Sequence, residues 1–292
     1  MIPLLERLKQ PGVIIADGAM GTILFRRGLK PGDCPEQMNL QSPEVLEEIA
    51  RMYLGAGAEI IQTNTFGGSP LKLAQYALDG KTEEINTTAL RAVRNVVQDR
   101  AYVSFSCGPS GKILEPYGDT SAEIVYDSFR RQMNAMLVEP MDMICIETMT
   151  DLAEAILAIE AAKSFSFSIP ICATMTFDPT PKGFRTVMGT SVEEAAKGLT
   201  EAGADIIGSN CGNGIENMVK IAEEFSRHTS LPIIIQSNAG IPTLKEGNAI
   251  YPETPEFMAE KSKALAHCGV KIIGGCCGTT PEHIAAMKKI LQ

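Results

Sequence analysis

Eight short β-rich runs recur along the 292 residues, each ending in small or polar residues and each followed by a segment with helical spacing. They are VIIADG from Val13, EIIQTNTFG from Glu59, YVSFSCGP from Tyr102, MDMICIET from Met141, IPICATMTF from Ile169, ADIIGSNCG from Ala204, LPIIIQSNAG from Leu231 and VKIIGGCCG from Val270. Their apolar stretches are continuous rather than alternating, which is the pattern of parallel strands buried on both faces. The intervening stretches open on helix-capping residues: SPEVLEEIARMYLGAGA, SAEIVYDSFRRQMNAML, SVEEAAKGLTEAGA and TPEFMAEKSKALAHCGV all begin with Ser or Thr next to Pro or followed by Glu. Three of the junctions, GAGAEII, EAGADII and HCGVKII, place a Gly between the helix and the next strand. One strand-helix unit repeated eight times, without a linker or charge block between halves, predicts a single (β/α)8 TIM barrel over residues 1–292. A doubly wound sheet is the less economical alternative.

The charge balance narrows the partners. With 26 Lys and Arg against 35 Asp and Glu, the net charge of -9 opposes binding to a phosphate backbone or an anionic membrane surface. The first residues carry charges among their apolar side chains, and no later stretch is apolar enough to span a bilayer, so a soluble, unexported, cytoplasmic protein is expected. Eight cysteines, several inside apolar strand runs, fit free thiols in a reducing compartment.

In such a barrel the chemistry lies where strands end. The strand-end residues are Asp17 with Gly18, Asn64, Cys107, Glu147, Thr176 to Asp178, Asn210 with Cys211, Asn238, and Cys276 with Cys277. The set holds no Lys for a Schiff base and no His for general base work, since His228, His267 and His283 all fall in helical patterns. Sulfur, carboxylate and amide remain.

Cys276 and Cys277 are adjacent and flanked by glycines that free the backbone from regular strand geometry, so both sulfurs can reach one centre. A vicinal disulfide, strained and rare, is the competing reading. Cys211, expected across the barrel mouth from strand eight, would complete a trio. Three thiolates with an open fourth position suit a catalytic Zn2+. Such an ion is a poor source of hydroxide, yet it holds an incoming thiol as thiolate without a histidine base. Asp17 and Glu147, with no cationic strand-end partner, suit a substrate ammonium, and the turn Gly18-Ala19-Met20-Gly21-Thr22 suits a carboxylate. Together these describe an amino-acid thiol as the nucleophile in an alkyl transfer. Cys145 and Cys172 read as core packing, and Cys107 as a packed thiol that could in principle approach the metal. The long loop after strand five, DPTPKGFRTVMGTSVEE, could act as a lid.

The motifs ADGAMGT, QTNTFG, ETMTD, MTFD, SNCG, SNAG and GGCCGTTPEHI, in this order, carry a resemblance over nearly the whole chain. The sequence resembles the homocysteine-binding barrel of homocysteine S-methyltransferases, above all the N-terminal barrel of the cobalamin-dependent methionine synthases. The resemblance implies zinc held by Cys211, Cys276 and Cys277, with homocysteine sulfur as fourth ligand and the Asn238 amide oxygen in that place when substrate is absent. It implies amino-group binding by Glu147 and Asp17, carboxylate binding by the backbone at Gly18 and Ala19, and Asn64 lining the pocket. Methionine formation, and so methionine biosynthesis, is the expected outcome. No Asp-x-His-x-x-Gly corrinoid loop and no second barrel are present, so the donor is expected to be a separate methylcorrinoid protein or a small methyl donor. With no Trp and 5% aromatic residues, a cage for an onium donor such as betaine is poorly supplied. Two alternatives stand beside this reading: a methyltransferase component of a multi-protein corrinoid pathway acting on another methylated compound, and a non-catalytic zinc- or thiol-binding module.

Overall fold

The structure, a computed structural model, describes residues 1–165, 168–245 and 248–292. Eight parallel strands form the barrel: β1 (Ile14–Ile15), β2 (Ile60–Gln62), β3 (Tyr102–Cys107), β4 (Met143–Met149), β5 (Ile171–Met175), β6 (Ile206–Asn210), β7 (Ile233–Ser237) and β8 (Ile272–Gly275). Each pairs with its chain neighbour, β8 returns to β1 with Ile14 opposite Ile272, and a parallel bridge from Ala16 to Ile60 joins β1 to β2. The ring is therefore closed, and all eight expected strands are in it. Eight main helices follow the strands: α1 (Pro43–Gly55), α2 (Thr82–Val97), α3 (Ala122–Met133), α4 (Leu152–Lys163), α5 (Val192–Ala202), α6 (Ile215–His228), α7 (Pro255–His267) and α8 (Pro281–Leu291). No helix among the described residues is long and apolar enough to cross a membrane.

The expected caps are largely formed. Ser121 and Thr254 accept the backbone N–H groups of Ile124 and Phe257, and Ser191 with Glu194 makes a reciprocal capping box. Ser42 differs: α1 starts at Pro43 as expected, but the Ser42 side chain makes no capping bond. The three junction glycines Gly57, Gly203 and Gly269 have φ of +93°, +97° and +85°, the left-handed turn that a Cβ would disfavour.

Continuous apolar strands acquire their meaning from two layers. Ile14, Ile60, Tyr102, Met143, Cys145, Cys172, Ile206, Ile234 and Ile272 fill the barrel interior, where Leu4 and Leu8 of the N-terminal helix Leu4–Leu8 pack against them. Their alternating neighbours, such as Ile15, Ile61, Val103, Ile144, Ile207, Ile235 and Ile273, pack under the surrounding helices. Further along the strands the inward positions turn polar, at Gln62, Ser104, Ser106, Glu147, Thr174, Asn210 and Gln236. The C-terminal half of the barrel interior is thus a polar floor beneath the site.

Space within this interior is tight. A Cβ on Gly208 of β6 would lie 1.8 Å from the Ile234 carbonyl oxygen. Gly208→Ala must push β6 away from β7 and is expected to destabilise the fold by roughly 3 kcal/mol, since overpacking against backbone cannot relax by a side-chain rotation. A urea unfolding midpoint equal to that of the wild type would contradict this.

Candidate active site

Three sulfurs converge over the end of β7. The Sγ atoms of Cys211, Cys276 and Cys277 all lie within 4.8 Å of one another, and Cys211 and Cys277 are 3.8 Å apart. Thiolates bound at about 2.3 Å to a tetrahedral ion sit about 3.8 Å apart, so the spacing fits zinc. The approach differs in one respect from the expectation that β6 faces β8 across the mouth. Both strands flank β7 and are separated by it alone.

Local backbone conformation makes the convergence possible. Cys211, immediately past β6, has φ of +61°, an uncommon value for a residue with a Cβ. On the other side, β8 stops at Gly275, and the chain turns at once through Gly278 with φ of +82°. Thr279 closes that turn, its N–H and Oγ1 both donating to the Cys276 carbonyl at 3.1 and 2.7 Å. Both neighbouring cysteines can then face one point, and they are free thiols in this structure. Hydrogen bonds from Cys276 and Cys277 hold the Cys211 thiol far below its usual range, and the Cys276 and Cys277 protons are correspondingly harder to remove. Such a trio could hold a soft metal ion.

Asn238, just past β7, lies beside Cys211, and its Oδ1 is buried with no hydrogen-bond partner. A buried orphan oxygen is costly unless something accepts its lone pairs, and a metal ion would. The Asn238 amide N–H donates to the Cys211 sulfur, so the three sulfurs could hold a metal ion and the amide, turned over, would offer its oxygen as a fourth donor.

Two buried acids stand at other strand ends of the same mouth, and Glu147 is close enough to Cys211 to feel its charge. Glu147, near the end of β4, accepts hydrogen bonds from Ser106 Oγ, from Gln62 Nε2 at 3.3 Å and from Asn210 Nδ2 at 3.1 Å. Asp17 accepts the Gln62 N–H at 2.8 Å through Oδ2, while its Oδ1 is buried without a partner. Burial pushes the Glu147 carboxyl up to about 7 and the Asp17 carboxyl up to about 8, with Glu147 adding repulsion to Asp17. No cation pairs with either acid among the described residues. A ligand ammonium would supply the missing charge.

These shifts set a pH dependence for the metal-free protein. Both carboxyls are raised above their free values of 4.5 and 3.8, so unfolding releases their protons. Their contribution to stability is complete below about pH 4 and disappears as pH rises through the folded values near 7 and 8. The thermal midpoint of the metal-free chain is expected to fall between about pH 5 and pH 8, with a shallower fall in Glu147→Gln. A wild-type midpoint that is flat or rising over this interval would contradict the assignment.

The other expected site residues are placed as follows. Gly18 is pressed against Thr279 and Tyr53, since a Cβ there would lie 2.6 Å from Thr279 Oγ1 and 2.9 Å from the Tyr53 hydroxyl. The Ala19 N–H, expected at a substrate carboxylate, donates to Thr279 Oγ1 at 3.1 Å, and the Ala19 carbonyl accepts from the Tyr53 hydroxyl at 2.9 Å. Asn64 is buried, with its amide nitrogen spent on the Pro35 carbonyl and Asn39 Oδ1, both at 2.8 Å. It braces the segment around residues 35–39. Cys107 points outward, its thiol 3.3 Å from Gln132 Oε1 of α3, so it packs away from the sulfur trio. Cys145 and Cys172 lie in the inner core as expected. The loop after β5 forms an exposed hairpin of Asp178–Thr180 with Gly183–Arg185, and Arg185 bonds the Gly189 carbonyl at 2.8 Å.

Four contributors escaped the strand-end reading: Gln62, Ser106, Thr279 and Tyr251. The first two are polar residues at inward positions of otherwise apolar strands, and that pattern would have revealed them. Tyr251 lies beside the Cys277 sulfur with its ring against Gly278, where a Cβ would lie 2.1 Å from Tyr251 Cγ. His283 fastens this strap, with Nδ1 accepting the Thr280 N–H at 3.1 Å and Nε2 meeting the Glu253 carbonyl at 3.0 Å.

Comparison with known proteins decides the lineage. Residues 14–291 match the family described as homocysteine S-methyltransferase. The chain belongs to this family. Its sequence is 33% identical over 298 aligned residues to the methionine synthases of Mycobacterium leprae (strain TN) and Mycobacterium tuberculosis (strain ATCC 25618 / H37Rv). Each alignment takes in 96% of this chain but 24% and 25% of those relatives, so the chain spans about a quarter of their length. Its fold is shared with the metallated form of the homocysteine methyltransferase MmuM from Escherichia coli, at a TM-score of 0.82 and 22% identity, covering 98% of this chain and 99% of that one. The oxidised form of MmuM gives a TM-score of 0.78 with 97% of each chain covered.

Proposed function

We propose that this barrel is a zinc-dependent S-methyltransferase that methylates homocysteine to methionine. The observation that carries the reading is the convergence of the soft trio Cys211, Cys276 and Cys277 at the same barrel mouth as two buried acids, Glu147 and Asp17, that lack a cation among the described residues. One ligand with a thiol at one end and an ammonium at the other satisfies both.

Cys211, Cys276 and Cys277 would hold the zinc, with Asn238 Oδ1 as the fourth donor before an acceptor binds. When bound, zinc lowers the pKa of an incoming thiol, so that sulfur is available as a nucleophile at neutral pH. Glu147 and Asp17 receive the ammonium, and its charge draws both carboxyls back to their ionised forms. Ser106, Gln62 and Asn210 orient Glu147. The acceptor carboxylate is assigned to the backbone at Gly18 and Ala19, where it takes the place of Thr279 Oγ1 on the Ala19 N–H. Asn64 contributes by holding the wall of the pocket. The absence of a histidine base is consistent with this chemistry, because the thiol loses its proton without one.

The methyl donor is assigned to a separate methylcorrinoid protein or to a small molecule. The corrinoid donor is favoured by the resemblance of the motifs ADGAMGT, SNCG and GGCCGTTPEHI to the cobalamin-dependent methionine synthases. All eight cysteines are free, which suits a reducing cytoplasm. The test is zinc content by elemental analysis combined with a homocysteine titration that follows proton release. One zinc per chain and thiol-linked proton release near neutral pH are expected. Zinc without a homocysteine response would move the reading to another methylated substrate, and absence of tightly bound zinc would remove it.

A further inference from the structure

Two strand ends in this barrel share an unusual backbone and are joined by one side chain. β4 carries a bulge: the register runs from Ile146 opposite Ala173 to Met149 opposite Met175, so Glu147 and Thr148 together face Thr174 of β5. Thr148 has φ of +62°, a conformation that is sterically disfavoured for a β-branched residue and persists only where its surroundings enforce it. Cys211, the residue after β6, has φ of +61°. Between them stands Asn210, fully buried at the last position of β6.

Every hydrogen-bonding position of the Asn210 side chain is used. Its Oδ1 accepts the Thr148 N–H and the Thr174 hydroxyl, each at 2.8 Å. Its Nδ2 donates to Thr148 Oγ1 at 2.8 Å and to Glu147 Oε2 at 3.1 Å. Nothing is left over for a ligand, so Asn210 acts on other residues. Its targets are the bulge that aims Glu147, and Glu147 itself, while its own main chain leads directly into Cys211.

We propose that Asn210 is a positioning residue that fixes the span between the Glu147 carboxylate and the Cys211 sulfur, and thereby selects acceptors by the number of methylenes between ammonium and thiol. The inference rests on the proposed function, in which the acceptor's ammonium meets Glu147 and its sulfur meets the metal. A rigid span lets homocysteine, with two methylenes between Cα and sulfur, reach both ends. Cysteine has one, and must give up one contact. Loosening the span lets Glu147 follow the shorter ligand, so discrimination falls even though every group that touches the ligand is still present.

The experiment uses zinc-loaded wild-type protein and two variants, Asn210→Ser and Thr148→Gly, with calorimetric titration of L-homocysteine, L-cysteine and 2-mercaptoethanol. Serine is too short to span Thr148 and Glu147. Thr148→Gly removes the strained side chain and relaxes the turn, and therefore decides the question if Asn210→Ser does not fold. Wild type is expected to prefer homocysteine over cysteine by at least about 100-fold, and each variant by about tenfold or less. Zinc should remain at one per chain, and the affinity for 2-mercaptoethanol, which has no ammonium, should be unchanged. An unaltered homocysteine-to-cysteine ratio in the folded variants overturns the proposal, as does a loss of affinity shared equally by all three thiols, which is what general loosening would produce. Failure of zinc-loaded wild type to bind homocysteine would instead overturn the proposed function on which the inference rests.

Discussion

On the proposed function, Cys211→Ala, Cys276→Ala and Cys277→Ala are each expected to abolish stoichiometric zinc and, with it, methionine formation. A site built from three thiolates derives most of its affinity from them; apparent zinc affinities of about 10 kcal/mol or more in thiolate-rich sites depend on the full ligand set. Removing one sulfur leaves two sulfurs and the Asn238 oxygen, a much weaker hold on the ion, and a loss of at least about a thousandfold in affinity is expected. The three positions differ in their backbone demands, which supplies an internal control. Alanine keeps a Cβ, so the left-handed Cys211 position is no more strained after substitution than before. All three cysteines lie at strand ends, outside the packed inner and outer core, so far-UV circular dichroism and the metal-free melting temperature should stay near wild type. One tightly held zinc per chain in any of these variants would refute the ligand assignment.

Glu147→Gln is expected to raise the homocysteine Kd by about 10- to 100-fold while leaving zinc in place. The substitution is nearly isosteric and removes the charge that an ammonium would meet. Because Glu147 accepts from Ser106, Gln62 and Asn210, its amide replacement must turn one N–H toward a donor, which adds to the loss. Removing this neighbour also lowers the Asp17 carboxyl, since Glu147 repulsion contributes to its shift. The pH dependence of homocysteine binding should change together with its affinity, which a purely structural role for Glu147 would not produce. Unchanged homocysteine affinity would take Glu147 out of the amino-group role.

How much of this was legible beforehand differs from element to element. The eight strands were readable because each is a continuous apolar run, and the physical requirement behind that run, burial under helices on one side and inside the barrel on the other, holds for every strand alike. The sulfur trio was readable as a candidate because a barrel delivers its strand ends to one mouth, and Cys211, Cys276 and Cys277 all stand at strand ends. The geometry of the gathering was not. Cys211 meets the pair over β7 rather than across the mouth, because β6 and β8 are separated by that one strand, and this is also why Asn238 of the intervening turn stands beside the sulfurs.

Side chains at strand ends were the least legible. Asn64 and Asn210 occupy the same kind of position, yet Asn64 braces the segment around Pro35 and Asn39 while Asn210 spans two strands to hold Glu147. The Ala19 N–H is taken by Thr279, 260 residues away in the chain. By itself, then, the sequence determined the repeat, the helix caps, the left-handed glycine turns and the residues delivered to the mouth, because each depends on local backbone preference and burial. Which way each delivered side chain turns, and which of them acts on a ligand rather than on a neighbour, was decided only by the closed barrel, because a hydrogen bond between groups so distant in the chain exists only after closure brings them together.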